Sequence, residues 1–216
     1  MEYSGTPHIN PDELKRICGH GRTVVASKAV DLFADNVPDE LIEIVLERCC
    51  SYGKNRYVFK TMNPERFQDF LWQFPPKTIL ATTVEGPDAA KYSKAPLPAA
   101  RLIGLRRIAG ILKNLPRRPQ LMVSVDPVLS WPACSSLIRQ LHRTSPDIIE
   151  VGANTARCKV DEPTGIDLAY LIGHFRDMTS DVRLNNNLER ILGKDTLSKL
   201  QSGINWNLVL ATKGVH

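Results

Sequence analysis

The sequence predicts an α/β protein of parallel strands with helices outside them, and three observations carry that prediction. Short apolar runs, often β-branched, recur at 23–28, 56–61, 78–85, 120–126 and 147–154. Segments of helical period lie between them, so strand and helix alternate five times at intervals of about 20–40 residues, the pattern of parallel strands joined by crossovers. Each run also ends on polar residues, although its body is apolar enough to be buried on both faces.

Taken in order, "TVVASK" (23–28) is the first strand, and "VPDELIEIVLERCCSYG" (37–53) the helix after it. That helix opens on Pro-Asp-Glu, repeats apolar residues at three and four, and reaches a glycine. "RYVFKT" (56–61) is the second strand. In "NPERFQDFLWQF" (63–74), Asn63 is placed to cap a helix, with Pro64 at its first position and Glu65 in its first turn. "TILATTVE" (78–85) is the third strand, and a helix follows "APLPAARL". "QLMVSVD" (120–126) precedes a helix over 130–143, with Ser130 as cap and Pro132 in the first turn. "DIIEVGAN" (147–154) precedes a helix over 162–178. A short strand at "DVRL" (181–184) and a helix at 186–201 close the pattern, while "SGINWNLVLATKGVH" has no clear assignment. With no linker, low-complexity tract or repeat, residues 1–216 read as a single domain.

Apolar residues at 43% and charged residues at 24% are ordinary for a water-soluble globular chain. No window approaches the roughly 18 apolar residues of a membrane span. The opening "MEYSGTPHINPDELK" lacks the apolar stretch of a secretory signal, so a cytoplasmic protein is expected. Five cysteines (Cys18, Cys49, Cys50, Cys134, Cys158) follow no framework or zinc spacing and suit free thiols. The net charge of +5 is mild but unevenly spread. "RLIGLRRIAGILKNLPRR" (101–118) carries Arg101, Arg106, Arg107, Lys113, Arg117 and Arg118 with no acid. It reads best as an amphipathic helix with Leu102, Leu105, Ala109 and Leu112 inward, and otherwise as a phosphate-attracting patch.

Several familiar motifs are excluded. The Gly-x-Gly of "GHGRTVV" precedes a strand and opens no helix, which is the wrong context for a dinucleotide loop. GxxxxGK[ST], HExxH and GxSxG are absent, so P-loop, zinc-protease and serine-hydrolase chemistry find no support. His142 and His174 fall inside helical segments and read as structural or solvated.

In a parallel α/β fold every strand delivers its C-terminal end to one face, where ligands bind. The strand ends here are Lys28 followed by Asp31, then Lys60 and Thr61, Thr83 and Glu85, Asp126, and Gly152 to Asn154. Carboxylates, ammonium groups, hydroxyls and an amide are therefore expected around one mouth.

The order and wording of "VVASKAVDLFADNVPDELI", "YVFKTMNPERFQDFL", "ILATTVEGP" with "SKAPLPAARL", "LMVSVDPVL", "IIEVGANT" and "DVRLNNNLERILG" matter together. Over residues 10–193 they resemble a group of phage and microbial radical-SAM-like proteins related in architecture to spore photoproduct lyase. The resemblance implies an incomplete (β/α) barrel, a partial TIM barrel of about six parallel strands with outer helices. It implies S-adenosylmethionine (SAM) as cofactor, with Lys60, Thr61, Thr83, Glu85, Asp126, Gly152 and Asn154 as cofactor-binding positions. Thr83, Glu85 and Asp126 would face the methionine and ribose parts, and the backbone around Gly152 the adenine. Asp126 stands where relatives are expected to carry glutamate.

In that family three cysteines after the first strand hold a [4Fe–4S] iron–sulfur cluster. They would precede the segment with which this chain opens, and no metal ligand is assigned here. The implied activity is that of a radical-SAM-type lyase or transferase core, split or truncated and completed by a separately encoded cysteine-bearing segment. Its substrate would be a nucleic acid or nucleotide. Two other readings stay open: a cluster-less barrel that binds a ligand or partner, and a barrel enzyme using Lys60 with Glu85 or Asp126 for acid–base or Schiff-base chemistry.

Overall fold

In the computed structural model, residues 7–15, 19–26, 31–86, 91, 95–129, 135–155 and 159–203 are described below, with the side chains of 135–137 left aside. Six strands form one sheet: β1 (Thr23–Val25), β2 (Arg56–Thr61), β3 (Thr78–Thr83), β4 (Gln120–Val125), β5 (Ile148–Val151) and β6 (Asp181–Leu184). Their spatial order is their sequence order, and every neighbouring pair is parallel. The sheet curls into a half-barrel with flanking helices, an incomplete α/β barrel.

Alternation along the strands explains the one-sided winding. Tyr57 and Phe59 of β2, Leu80 of β3, Leu121, Val123 and Val125 of β4, and Ile149 and Val151 of β5 share a face. That face packs on the helices α2 (Asp39–Ser51), α3 (Pro98–Leu112) and α5 (Gly165–Met178), through Ile42, Leu46, Leu105, Ile108, Ile172 and Phe175. The opposite face holds a separate small cluster of strand residues alone: Val58, Ile79, Ala81, Met122 and Ile148. One apolar layer thus seals the sheet to its helices, and a second floors the concave side.

The described helices include α1 (Pro11–Lys15), α4 (Ser135–Thr144), α6 (Glu189–Leu192) and α7 (Lys194–Gln201). None is long and apolar enough to cross a membrane.

Some local expectations are revised. Residues Pro64–Phe70 form a 3-10 helix rather than an α-helix. Its Phe67 and Phe70 are pulled tight against Phe33, at ring separations of 4.8 and 5.9 Å. The single helix expected over 186–201 breaks into a 3-10 turn (Asn186–Leu188), α6 and α7. The break is at Gly193, whose φ of 77° leaves the helical region and favours glycine. Among the described residues, β1 is a three-residue edge strand paired with β2 alone, and Val25 stays half exposed. Lys28, Ser130, Pro132 and the segment 204–216 lie outside the described residues.

Candidate functional site

Above the apolar floor, the concave face turns polar one step along each strand. The register sets Lys60 beside Ala81, Thr83 beside Ser124, Ser124 beside Glu150, and Glu150 beside Arg183. Ala81 is small, and the Lys60 side chain reaches across β3, its Nζ donating to Ser124 Oγ at 2.7 Å. Ser124 Oγ donates in turn to Glu150 Oε2 at 3.1 Å. The Lys60 ammonium lies 3.9 Å from the same carboxylate oxygen. Ser124 is fully buried, whereas Lys60 and Glu150 keep 30% and 28% of their side chains open to water. The two charged ends therefore face the mouth and the hydroxyl braces them from below.

Asp126 follows two residues after Ser124, at the end of β4, and begins a cis peptide bond to Pro127. Asn185, just past β6, donates from Nδ2 to Asp126 Oδ2 at 3.4 Å. Gly152 fills the gap between them: a Cβ there would stand 2.6 Å from Asp126 Cγ and 2.8 Å from Asn185 Nδ2. Burial pushes the Asp126 carboxyl above its ordinary value, with Glu150 adding to the rise while Lys60 and the Asn185 hydrogen bond oppose it. Two carboxylates thus share one nearby ammonium. Arg183, the next cation along the row, is held by both oxygens of Asp181.

Because the folded-state pKa of Asp126 lies above its unfolded value, ionising this group opposes folding. Its favourable contribution is complete below the unfolded value of 3.8 and is lost as pH rises through the higher folded value. Asp126→Asn removes that cost and keeps a partner for Asn185. It is expected to raise the melting temperature at pH 7 by about 1–3 °C, a modest gain because the group retains solvent contact. The gain should shrink towards pH 4. Equal melting temperatures for variant and parent across pH 4–7 would show that the carboxyl is not held in a costly position.

The other expected positions serve different ends. Glu85 is buried, and its Oε2 accepts from Arg101 Nη1 at 2.9 Å. Arg101 also donates to the Thr83 carbonyl at 2.8 Å and to the Pro96 carbonyl at 2.6 Å. Glu85 and Thr83 are thereby tied to α3. Thr61 is buried on the helix-facing side, and its hydroxyl accepts from Asn63 N at 2.9 Å, shaping the turn after β2. Asp31 accepts from Phe33 N and Met62 N, joining the segment after β1 to the end of β2.

At the end of β5 the backbone is heavily bonded. Gly152 N donates to Val125 O at 3.0 Å. Ala153 exchanges two bonds with the Asn187 amide. Asn154 N donates to Glu162 Oε1 at 2.9 Å, and Arg190 clasps both Glu162 and the Asn154 carbonyl. The structure therefore gathers Lys60, Asp126 and Gly152 at one place and leaves Thr61 and Glu85 in structural contacts.

Ser124, Glu150 and Asn185 escaped the sequence reading. For Ser124 and Glu150 a signal existed: each sits two residues before Asp126 or Gly152, so each shares its face. The basic stretch is also revised. Arg101 is buried and not solvated, Arg107 pairs with Glu65, and Arg118 pairs with Asp147. The inward stripe of α3 is formed by Leu102, Leu105, Ile108 and Leu112.

Among the described residues no group of three or more His, Cys, Asp or Glu is arranged to hold a metal ion. Cys49 is buried on α2, on the helix side of the sheet, and Cys50 beside it is exposed. These two thiols do not fit a cluster at the mouth. Cys18, Cys134 and Cys158 lie outside the described residues. No protein family, curated protein or solved structure matches the chain.

Proposed function

We propose that the concave mouth binds S-adenosylmethionine, and that the chain is the core of a radical-SAM-type enzyme acting on a nucleic acid or nucleotide. A separately encoded cysteine-bearing segment would bring the cluster. One observation carries this reading: two carboxylates, Asp126 and Glu150, share a single ammonium, Lys60, at the C-terminal ends of parallel strands. With Asp181 and Arg183 alongside, three carboxylates face two cations among the described residues, an excess of negative charge. It complements a ligand bearing two cations, a carboxylate and vicinal hydroxyls, which is the charge pattern of SAM. Glu150 and Asp126 would accept from the ligand's amino group and ribose hydroxyls, Lys60 would hold its carboxylate, and Gly152 leaves the space for close approach. The alternative, a barrel that binds such a ligand without catalysis, uses the same residues and differs only in turnover.

The test is titration calorimetry of the full chain with SAM and with S-adenosylhomocysteine, which lacks the sulfonium charge. SAM is expected to bind about tenfold more tightly than the homocysteine analogue. Glu150→Gln should weaken SAM about tenfold, the loss of one charge-assisted contact. Equal affinity for the two ligands, or an unaltered affinity in the Glu150→Gln chain, would overturn the proposal.

A further inference from the structure

The end of the barrel opposite the mouth carries a different chemistry. The residues that lead into the strands there are basic in succession. Arg22 precedes β1, Lys54 and Arg56 open β2, Lys77 precedes β3, and Lys113, Arg117 and Arg118 precede β4. All seven are exposed. Backbone bonds set them side by side: Arg56 N donates to the Arg22 carbonyl at 2.8 Å, and Tyr57 N to the Lys77 carbonyl at 2.9 Å. Neighbouring strands lie about 4.8 Å apart, so the row from β1 to β4 spans about 14 Å.

The carboxylates that begin the next two strands neutralise one member of this row, Arg118, and leave the other six. Asp147 is engaged by Arg118 and Asp181 by Arg183. Arg22, Lys54, Arg56, Lys77, Lys113 and Arg117 make no ion pair with a carboxylate among the described residues.

Beside the row stands Trp72, 81% exposed, which is an unusual position for the largest apolar side chain. Trp72 and Arg117 line one shallow groove with Phe74, Pro75, Leu115 and Pro116. A flat exposed ring next to a guanidinium, bordered by a line of cations, is the combination that holds an unpaired base and its flanking phosphates. An acidic protein segment would use the cations but leave the ring without a stacking partner.

We propose that this rim is a docking surface for single-stranded nucleic acid, with Trp72 stacking on a base and Lys77, Arg117 and their neighbours tracking the backbone. It lies about 20 Å from the mouth, the length of a six-residue strand, so it anchors a strand and does not present it for reaction. The inference is independent of what fills the mouth.

The experiment is fluorescence anisotropy of a labelled oligothymidylate of about 12 nucleotides with the full chain at low salt. Binding is expected, with quenching of tryptophan emission that disappears in Trp72→Phe. Trp72→Ala should weaken binding about tenfold. Lys77→Ala with Arg117→Ala should lower the slope of log affinity against log salt by about 1.4, for two lost phosphate contacts. These exposed positions should leave the melting temperature unchanged. Absence of binding, or variants that bind like the parent, would overturn the proposal. So would polyglutamate displacing the oligonucleotide at equal charge, which would assign the rim to an acidic protein. Displacement by SAM would place the oligonucleotide in the mouth and likewise overturn it.

Discussion

Arg101→Met is expected to destabilise the fold by about 3–5 kcal/mol, the cost of removing the guanidinium from a buried ion pair. Arg101 is 1% exposed and Glu85 10% by side chain, so neither charge has much water to fall back on. The guanidinium does three things at once: it neutralises Glu85, and it satisfies the carbonyls of Thr83 and Pro96. Methionine replaces the unbranched stem well and its volume adequately, so the loss is polar and not a cavity. At about 2–4 °C per kcal/mol for a chain of this size, the melting temperature should fall by about 10 °C.

The double variant Glu85→Gln with Arg101→Met separates the pair from its surroundings. With the buried carboxylate neutralised as well, it should be more stable than Arg101→Met alone, with a coupling of about 2 kcal/mol in urea titrations. If Arg101→Met costs less than about 1 kcal/mol, the ion pair is not what fastens α3 to the end of β3.

Gly152→Ala is expected to disable the mouth while the fold survives. The φ of Gly152 is not positive, so alanine meets no backbone penalty. Its methyl group meets the site instead, at 2.6 Å from Asp126 Cγ, 2.7 Å from Asp126 Oδ1 and 2.8 Å from Asn185 Nδ2. Carbon atoms in contact settle at about 3.5–4.0 Å. Asp126 Cγ is one bond from its own Cβ and cannot clear that distance by a small swing. The carboxylate and the Asn185 amide must both move away from β5.

On the proposal that the mouth binds SAM, its affinity should drop by at least about tenfold, since a displacement near 1 Å is enough to spoil a positioned group. Unfolding should change by only about 1–2 kcal/mol. A second readout does not depend on the ligand. The Asp126 carboxyl carbon, followed by NMR through an acid titration, should shift its midpoint down towards the ordinary carboxylate range as the group moves into water. A variant whose Asp126 titrates as in the parent would show that the contact is relieved elsewhere.

Local chemistry made most of the fold legible. The runs "YVFK", "ILATT", "LMVSV" and "IIEV" are β-branched and nearly continuous because these strands are covered on both faces. The periodic segments between them could only be helices on the outside. Lys60, Asp126 and Gly152 were readable as strand ends for the same reason: parallel strands deliver their C-termini to one side. The 3-10 helix at Pro64–Phe70 was not readable, because Asn63-Pro64-Glu65 is an equally good start for an α-helix. The tight winding belongs to an aromatic cluster around Phe33, which is 34 residues from Phe67 in the chain.

What the sequence alone determined is therefore the set of strands, their parallel direction, and the polar ring at their ends. What only the tertiary structure decided is which polar groups meet. Glu85 and Asp126 are equivalent in the sequence, each an acid closing an apolar run. In the fold, α3 brings Arg101 onto Glu85 and buries it, whereas Asp126 meets the bare face of Gly152 after β5 and the amide of Asn185 after β6. Periodicity is written residue by residue, so it survives in the linear chain. The choice of charge partner depends on distances across strands and helices far apart in sequence, and at Glu85 and Asp126 it separates a carboxylate tied to a helix from one left at the mouth of the barrel.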